Sequence, residues 1–413
     1  MSEARVVLPV STRTGGVTPA ESARVTPRSV AFFFLLLFAA SVPLEAIAHL
    51  GPLGSTARIA GIAAAASGAY ALCTDLRVRR ANSTFFAFGA FVVWNALSYF
   101  WSSDPGKTFA RASTYMQLVL LAWLIWQEAR TSRACVALMK AYIAGTAIAC
   151  ADAIITRHPV HAGVERFSIG DPNDFGVVVV IAMIMAYHVA ISASSRLTRL
   201  ACGLFLPLGA LAIFMTASRT AVVALFVAVL VMLFDARNLS PRRLVVIGLM
   251  SAVMVLVVVH SVSQSQLDRI ATTKSEVTGG SLDQRTTQWA ISVRTFGEHP
   301  MLGIGAGTFR DVSLQATGVS SPAHSIFLGV LADTGVPGLI LFVAVLLTLV
   351  PGIGQLPGNT RRAWIAIGLI WLMGAFTLSW EHRKITWFLV FLLAAQIAAS
   401  RDERLSCNRY ELS

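Results

Sequence analysis

Five short stretches of this 413-residue chain hold side chains whose types and spacing can do chemistry. The first is Ser218-Arg219, within Met215-Thr216-Ala217-Ser218-Arg219-Thr220, a very short turn between two apolar runs. A cation there either snorkels to water or serves a ligand at the surface, since charge at that depth is costly. The second is Ser281-Leu282-Asp283-Gln284-Arg285. Ser281 with Gln284 three residues on reads as a capping box, so Trp289, Val293 and Phe296 share one face of an amphipathic helix. Arg285 lies in its first turn, where the helix dipole disfavours a cation unless an anion is also present. It is either solvated or a clamp for a diphosphate, whose oxygens match the guanidinium fork.

The third stretch is Pro300-Met301-Leu302-Gly303-Ile304-Gly305-Ala306-Gly307. Glycines can bring backbone N–H groups against phosphate, but no parallel-sheet context makes this a nucleotide loop. A tight, close-packed turn is the preferred reading. The fourth is His324, in Ser321-Pro322-Ala323-His324-Ser325, where a polar loop meets an apolar run. A lone histidine is commonly structural, yet at this junction an imidazole can take a proton from a hydroxyl of a membrane-anchored substrate. The fifth is Arg166 with Asp171-Pro172-Asn173-Asp174. The carboxylates could hold a divalent metal, but their spacing reads first as a helix N-cap and turn.

The elements that position these residues are membrane spans. The chain is 55% hydrophobic and only 13% charged, against about a quarter charged for a soluble domain. Apolar runs predict spans near 30–47, 56–73, 84–101, 114–126, 134–155, 175–192, 200–216, 220–234, 244–260, 326–350, 364–379 and 386–400. The fold class is therefore all-α: a polytopic bundle of about 12 spans with one long outer loop, 261–325, containing short amphipathic helices. Asp333, Gly335, Pro337 and Gly338 predict that the tenth span breaks into a half-helix and a true span. Of the 33 Lys and Arg, 19 fall on the side of both termini and 13 on the other, five of these in the long loop. Long loops do not count in the positive-inside rule, so both termini are expected in the cytoplasm and the long loop outside.

Residues 1–29 and 401–413 read as cytoplasmic tails, the first polar and disordered. Ala46-Ile47-Ala48 resembles a cleavage site, but Pro43 and Glu45 interrupt a run long enough to stay as a span. The net charge of +12 sits in short loops between apolar runs, which argues against a nucleic-acid partner. The five cysteines form no CxxC or Cys/His cluster, so no metal site is expected from them. No repeat or matched pair of broken segments is visible, and no charged relay crosses the spans. Both weaken an alternative reading as a transporter or flippase of lipid-linked sugar.

Taken in this order, Arg166 with Asp171-Pro172-Asn173, Ser218-Arg219, Arg285 with Trp289, Pro300 to Gly307, and His324 before Asp333-Thr334-Gly335-Val336-Pro337-Gly338 resemble the O-antigen ligase and polymerase family of bacterial inner-membrane proteins. The motifs cover about 160–350. The resemblance implies a metal-independent, GT-C-like inverting glycosyltransferase without a cofactor, acting in lipopolysaccharide or exopolysaccharide biosynthesis. Its partners would be an undecaprenyl-diphosphate-linked glycan donor, a lipid or glycan acceptor and the membrane lipids. It implies that Arg219 and Arg285, with Arg166, engage the diphosphate and that His324 is the base, with Ser218, Trp289 and Asn173 in support. Ligase and polymerase both stay open, and the Leu328–Leu339 region is slightly closer to exopolysaccharide-type members. Family members usually have asparagine where this chain has Ser325.

Overall fold

The computed structural model describes residues 26–45, 56–74, 78–156, 159–161, 164–168, 170–236, 264–271 and 285–411. The expected span 244–260, the Ser281–Gln284 cap, the first 25 residues and Ala46-Ile47-Ala48 lie outside these. Helices α1 (Pro27–Ser41), α2 (Thr56–Thr74), α3 (Ser83–Leu97), α4 (Pro105–Glu128) and α5 (Ser132–Thr156) come first. An antiparallel hairpin, β1 (Pro159–His161) and β2 (Val164–Phe167), precedes α6 (Pro172–Ser192), α7 (Arg196–Met215) and α8 (Arg219–Ala236). Then come α9 (Gln264–Ala271), α10 (Arg285–Glu298), α11 (Phe309–Thr317), α12 (Ile326–Leu347), α13 (Val350–Ile353), α14 (Gly358–Ala375) and α15 (Lys384–Glu411). Eleven of the 12 expected spans coincide with helices, and among the described residues nine helical segments are long and apolar enough to cross a membrane. The molecule is an all-α polytopic bundle, with the hairpin as the small exception among the described residues.

Local chemistry sets the helix starts. Pro27, Pro105 and Pro172 occupy first helical positions, where a missing N–H costs nothing. Thr26, Asn82, Asp104, Asp171 and Ser195 cap their helices by accepting backbone N–H bonds. Asp171 takes Asn173 N at 2.8 Å and Asp174 N at 3.2 Å, so the Asp-Pro-Asn-Asp stretch is the N-cap its spacing predicts.

Two helices are apolar on every face and form the centre. The apolar windows of α6 and α15 are 72% and 78% buried, whereas that of α2 is 22% buried and turns large side chains such as Ile62 and Tyr70 outward. Around α6 pack α5, α7, α8 and α14, and around α15 pack α4 and α5. Aromatic stacking joins α3 to α15 through Phe88 and Trp387, whose centroids are 3.8 Å apart.

The starts of α4, α6, α8, α12 and α15 lie at one end of the bundle, and α12 breaks there as expected. Gly335, at φ 68° and ψ −170°, leaves the helix two residues before Pro337. The freed backbone groups find partners in the glycine-rich turn: Val336 N donates to Pro300 O at 2.9 Å, and Gly305 N to Asp333 O at 2.9 Å. A Cβ on Gly303, itself at φ +67°, would lie 2.5 Å from the Asp333 backbone. Pro300 to Gly307 is thus the close-packed turn its composition predicts.

Candidate functional site

The Ser218-Arg219 turn is built by capping. Ala217 adopts φ 48°, Ser218 Oγ accepts from Ala221 N at 3.3 Å, and α8 begins at Arg219. The same Ser218 hydroxyl donates to Asn173 Oδ1 at 2.8 Å. Arg166, buried at 4% exposure, donates through Nε to Thr216 O at 3.0 Å and through its other end to Asn173 Oδ1 at 3.2 Å. Asn173 therefore ties Arg166 to the Arg219 turn, and Gln266 of α9 buttresses it by donating to Met215 O at 3.1 Å.

Helix α10 then joins that turn to His324. Arg285, at its start, reaches Thr220 Oγ1 at 3.3 Å, and Trp289, one turn on, donates from Nε1 to the His324 carbonyl at 3.2 Å. One helical turn thus connects the neighbour of Arg219 with His324. The expected apolar face of this helix is corrected: Arg285, Gln288, Ser292 and Thr295 are buried, while Val293 is 55% exposed. The helix packs on α12 and α11, with Ile291 against Phe309, Ala323 and Ala332, a face that the spacing of Trp289, Val293 and Phe296 does not reveal.

His324 is held on three sides. Its φ of 51° is left-handed, a strained choice for histidine. The backbone is fixed by Trp289 on its carbonyl and by Ser379 Oγ, which accepts from its N–H at 3.1 Å. The ring Nε2 lies 3.3 Å from Ser321 Oγ. Ser325 caps α12 through Leu328 N at 3.4 Å, a cap that asparagine would also supply.

His324 lines a cavity of about 160 Å³ with a second group of residues that the motifs did not single out as a site. Arg111 of α4 pairs with Glu381 Oε1 at 3.0 Å, and His382 Nδ1 lies 2.8 Å from the same oxygen. Arg383 pairs with Asp174 of α6 at 3.4 Å. Asp333 accepts from Gly307 N at 2.7 Å and Phe309 N at 3.1 Å, which sets the floor of the cavity. Burial pushes the Glu381 carboxyl up, but the His382 ring and the Arg111 guanidinium more than offset this and hold it at about 2. Burial lowers the His382 imidazole and Arg111 adds to that, against the opposing pull of Glu381. Near neutral pH the pair is a carboxylate beside a neutral ring, with Nδ1 the donor.

The cavity lining includes His324, Asp171 and Asp174 but not Arg166, Arg219 or Arg285. The two groups meet through α6: Asn173 holds Arg166 and Ser218, and Asp174, the next residue, holds Arg383. The signal that could have found the second group is the run Glu381-His382-Arg383-Lys384 between two apolar segments, where ionisable residues are costly.

Fold and site together define a multi-pass membrane protein with a histidine-bearing pocket, lined by charges of both signs, at one end of its bundle. Residues 202–343 match the O-antigen ligase family model, and the resemblance drawn from the ordered motifs is borne out by that match. The matched segment contains Ser218, Arg219, Arg285, Trp289 and His324, and leaves Arg166, Asn173 and Glu381 outside it. Over that segment the chain is similar to O-antigen ligases, a likeness that supports membrane glycan biosynthesis of ligase or polymerase type. No curated protein matches the sequence.

Proposed function

We propose that this protein is an inverting, metal-independent glycosyltransferase of the bacterial inner membrane, with both termini cytoplasmic. It transfers or polymerises an undecaprenyl-diphosphate-linked glycan at the outer face. The observation that carries the reading is the single helix α10, whose first turn touches the residue beside Arg219 with Arg285 and holds His324 with Trp289.

The chemistry follows from the donor. Its anomeric carbon already bears a diphosphate, so the main task is to stabilise the negative charge that departs with it. Arg219 and Arg285, with Arg166 behind them, take the diphosphate oxygens. His324 accepts the proton of the acceptor hydroxyl as the new C–O bond forms, and the bond to the diphosphate breaks with its electron pair left on the phosphate oxygen. Asn173 and Ser218 keep the arginine turn in place, and Trp289 keeps the histidine in place. The acceptor is a lipid or a glycan on the same carrier, which separates ligase from polymerase.

Transfer is measured in vesicles carrying wild type or His324→Ala, with EDTA present. The donor is the host's own lipid-diphosphate-linked oligosaccharide, extracted from cells lacking this protein. Transfer by wild type alone supports the reading, and product length distinguishes a polymerase from a ligase. Movement of the donor between leaflets without any transfer would replace it with a flippase.

A further inference from the structure

Glu381 is only 7% exposed, and the two oxygens of its carboxylate are used unequally. Arg111 and His382 both bind Oε1. Oε2 is buried and has no hydrogen-bond partner among the described residues. An ionised oxygen left in that state is destabilising unless something donates to it. Glu381, Arg111, His382 and His324 all line the same cavity, whose volume of about 160 Å³ is several times the ~30 Å³ share of one water.

The lining also says what the donor can be. Asp174, Asp333 and Glu381 repel an anion, while Arg111, Arg310 and Arg383 repel a cation or metal ion. A neutral ligand bearing hydroxyls satisfies both signs, donating to carboxylates and accepting from guanidinium groups. With the His382 ring donating from Nδ1 to Glu381, its Nε2 adds a second acceptor for such a ligand, and the ring is 29% exposed.

We propose that Glu381, clamped by Arg111 and His382, is a sugar-binding carboxylate: its Oε2 accepts a hydrogen bond from a hydroxyl of the acceptor sugar and holds that sugar in the cavity beside His324. The acceptor role rests on the glycosyl-transfer reading; the hydroxyl-binding subsite itself does not. The diphosphate and the acceptor sugar then occupy different residue groups, joined by the start of α6.

The test uses the full chain in lipid nanodiscs and two readouts. The first is saturation-transfer NMR with the methyl glycosides of glucose, galactose, mannose and rhamnose as probes. The second is binding and transfer of the host's lipid-diphosphate-linked oligosaccharide. Glu381→Gln is expected to abolish the glycoside signal and to lower transfer on the order of 10- to 100-fold, with donor binding unchanged. His382→Gln, which leaves the Arg111 pair intact, is expected to act in the same direction and carries the test if Glu381→Gln does not fold. A wild type without glycoside signal, a signal unchanged in both variants, or donor binding lost in parallel with transfer overturns the subsite. A Glu381-dependent glycoside signal in a wild type that transfers nothing keeps the subsite and refutes the glycosyl-transfer reading instead.

Discussion

Arg166 and Arg285 are oriented by neutral oxygens, Thr216 O with Asn173 Oδ1 and Thr220 Oγ1, whereas Arg111 and Arg383, at the same end of the bundle, are held by the carboxylates of Glu381 and Asp174. A neutral acceptor fixes the direction of a guanidinium, and a carboxylate in contact also offsets its charge. A guanidinium positioned in advance suits charge that appears during a reaction, because it needs no reorganisation when the anion forms. The second arrangement makes a polar but nearly neutral wall, suited to an uncharged ligand and dependent on both partners being present.

Removing a cation from each group breaks the comparison in opposite ways. Arg285→Ala is expected to lower transfer on the order of 10²- to 10³-fold, with thermal stability and membrane insertion close to wild type. Arg285→Lys recovers only part of the rate, because the point charge lacks the two-pronged geometry. Arg111→Met leaves the Glu381 carboxylate buried beside a hydrocarbon chain and is expected to cost roughly 3–5 kcal/mol of stability. It is read as loss of monodisperse protein after detergent extraction, and Arg111→Met with Glu381→Leu should restore most of it. If Arg285→Ala unfolds the protein while Arg111→Met does not, the two groups have been assigned the wrong way round.

Acid should act on the second group first. The folded values of His382 and Glu381 both lie below their ordinary ones, so at these two groups the unfolded chain binds more protons and their contribution to stability falls as pH falls. The loss begins as pH drops through about 6.5, where an unfolded histidine takes up its proton, and deepens below about 4.5. A thermal midpoint followed across that window in wild type and His382→Gln checks it: the variant lacks the first part of the decline. Asn173→Ala removes one acceptor shared by Arg166 and Ser218, and an effect of about 1–2 kcal/mol on stability is expected, with a several-fold loss of transfer.

Most of the fold was legible because spans depend on composition over about twenty residues, and such runs survive without knowledge of neighbours. The break at Gly335 was legible for the same local reason, since Gly335, Pro337 and Gly338 together weaken the helix within four residues. The residues proposed for the site stood out in the sequence where a short turn carried them, as at Ser218-Arg219 and His324. Arg111 was not, because its partner Glu381 is 270 residues away and nothing in Phe109-Ala110-Arg111 announces a pairing. The buried face of α10 was misjudged for a related reason: large apolar side chains define a face by period, but here Arg285, Gln288, Ser292 and Thr295 turn inward, Arg285 toward Thr220 of α8 and the Ser292 and Thr295 hydroxyls onto carbonyls of their own helix.

The finest test of the division lies at His324, which touches both groups. Its carbonyl is held by Trp289 of α10 and its N–H by Ser379, two residues before Glu381. Trp289→Phe keeps an aromatic ring and removes only the Nε1 bond, a loss of about 1 kcal/mol. Ser379→Ala removes a bond of similar worth from the opposite side. If α10 couples the histidine to the diphosphate arginines, Trp289→Phe should lower the maximal transfer rate several-fold and leave acceptor KM unchanged. Ser379→Ala should raise acceptor KM, because it loosens the loop that carries Glu381. In a His324→Ala background residual transfer should respond to neither change, since each acts through the histidine or its alignment with the acceptor. Equal effects of the two substitutions on rate and KM would mean that the left-handed backbone of His324 is one rigid joint and that the division between the groups ends there.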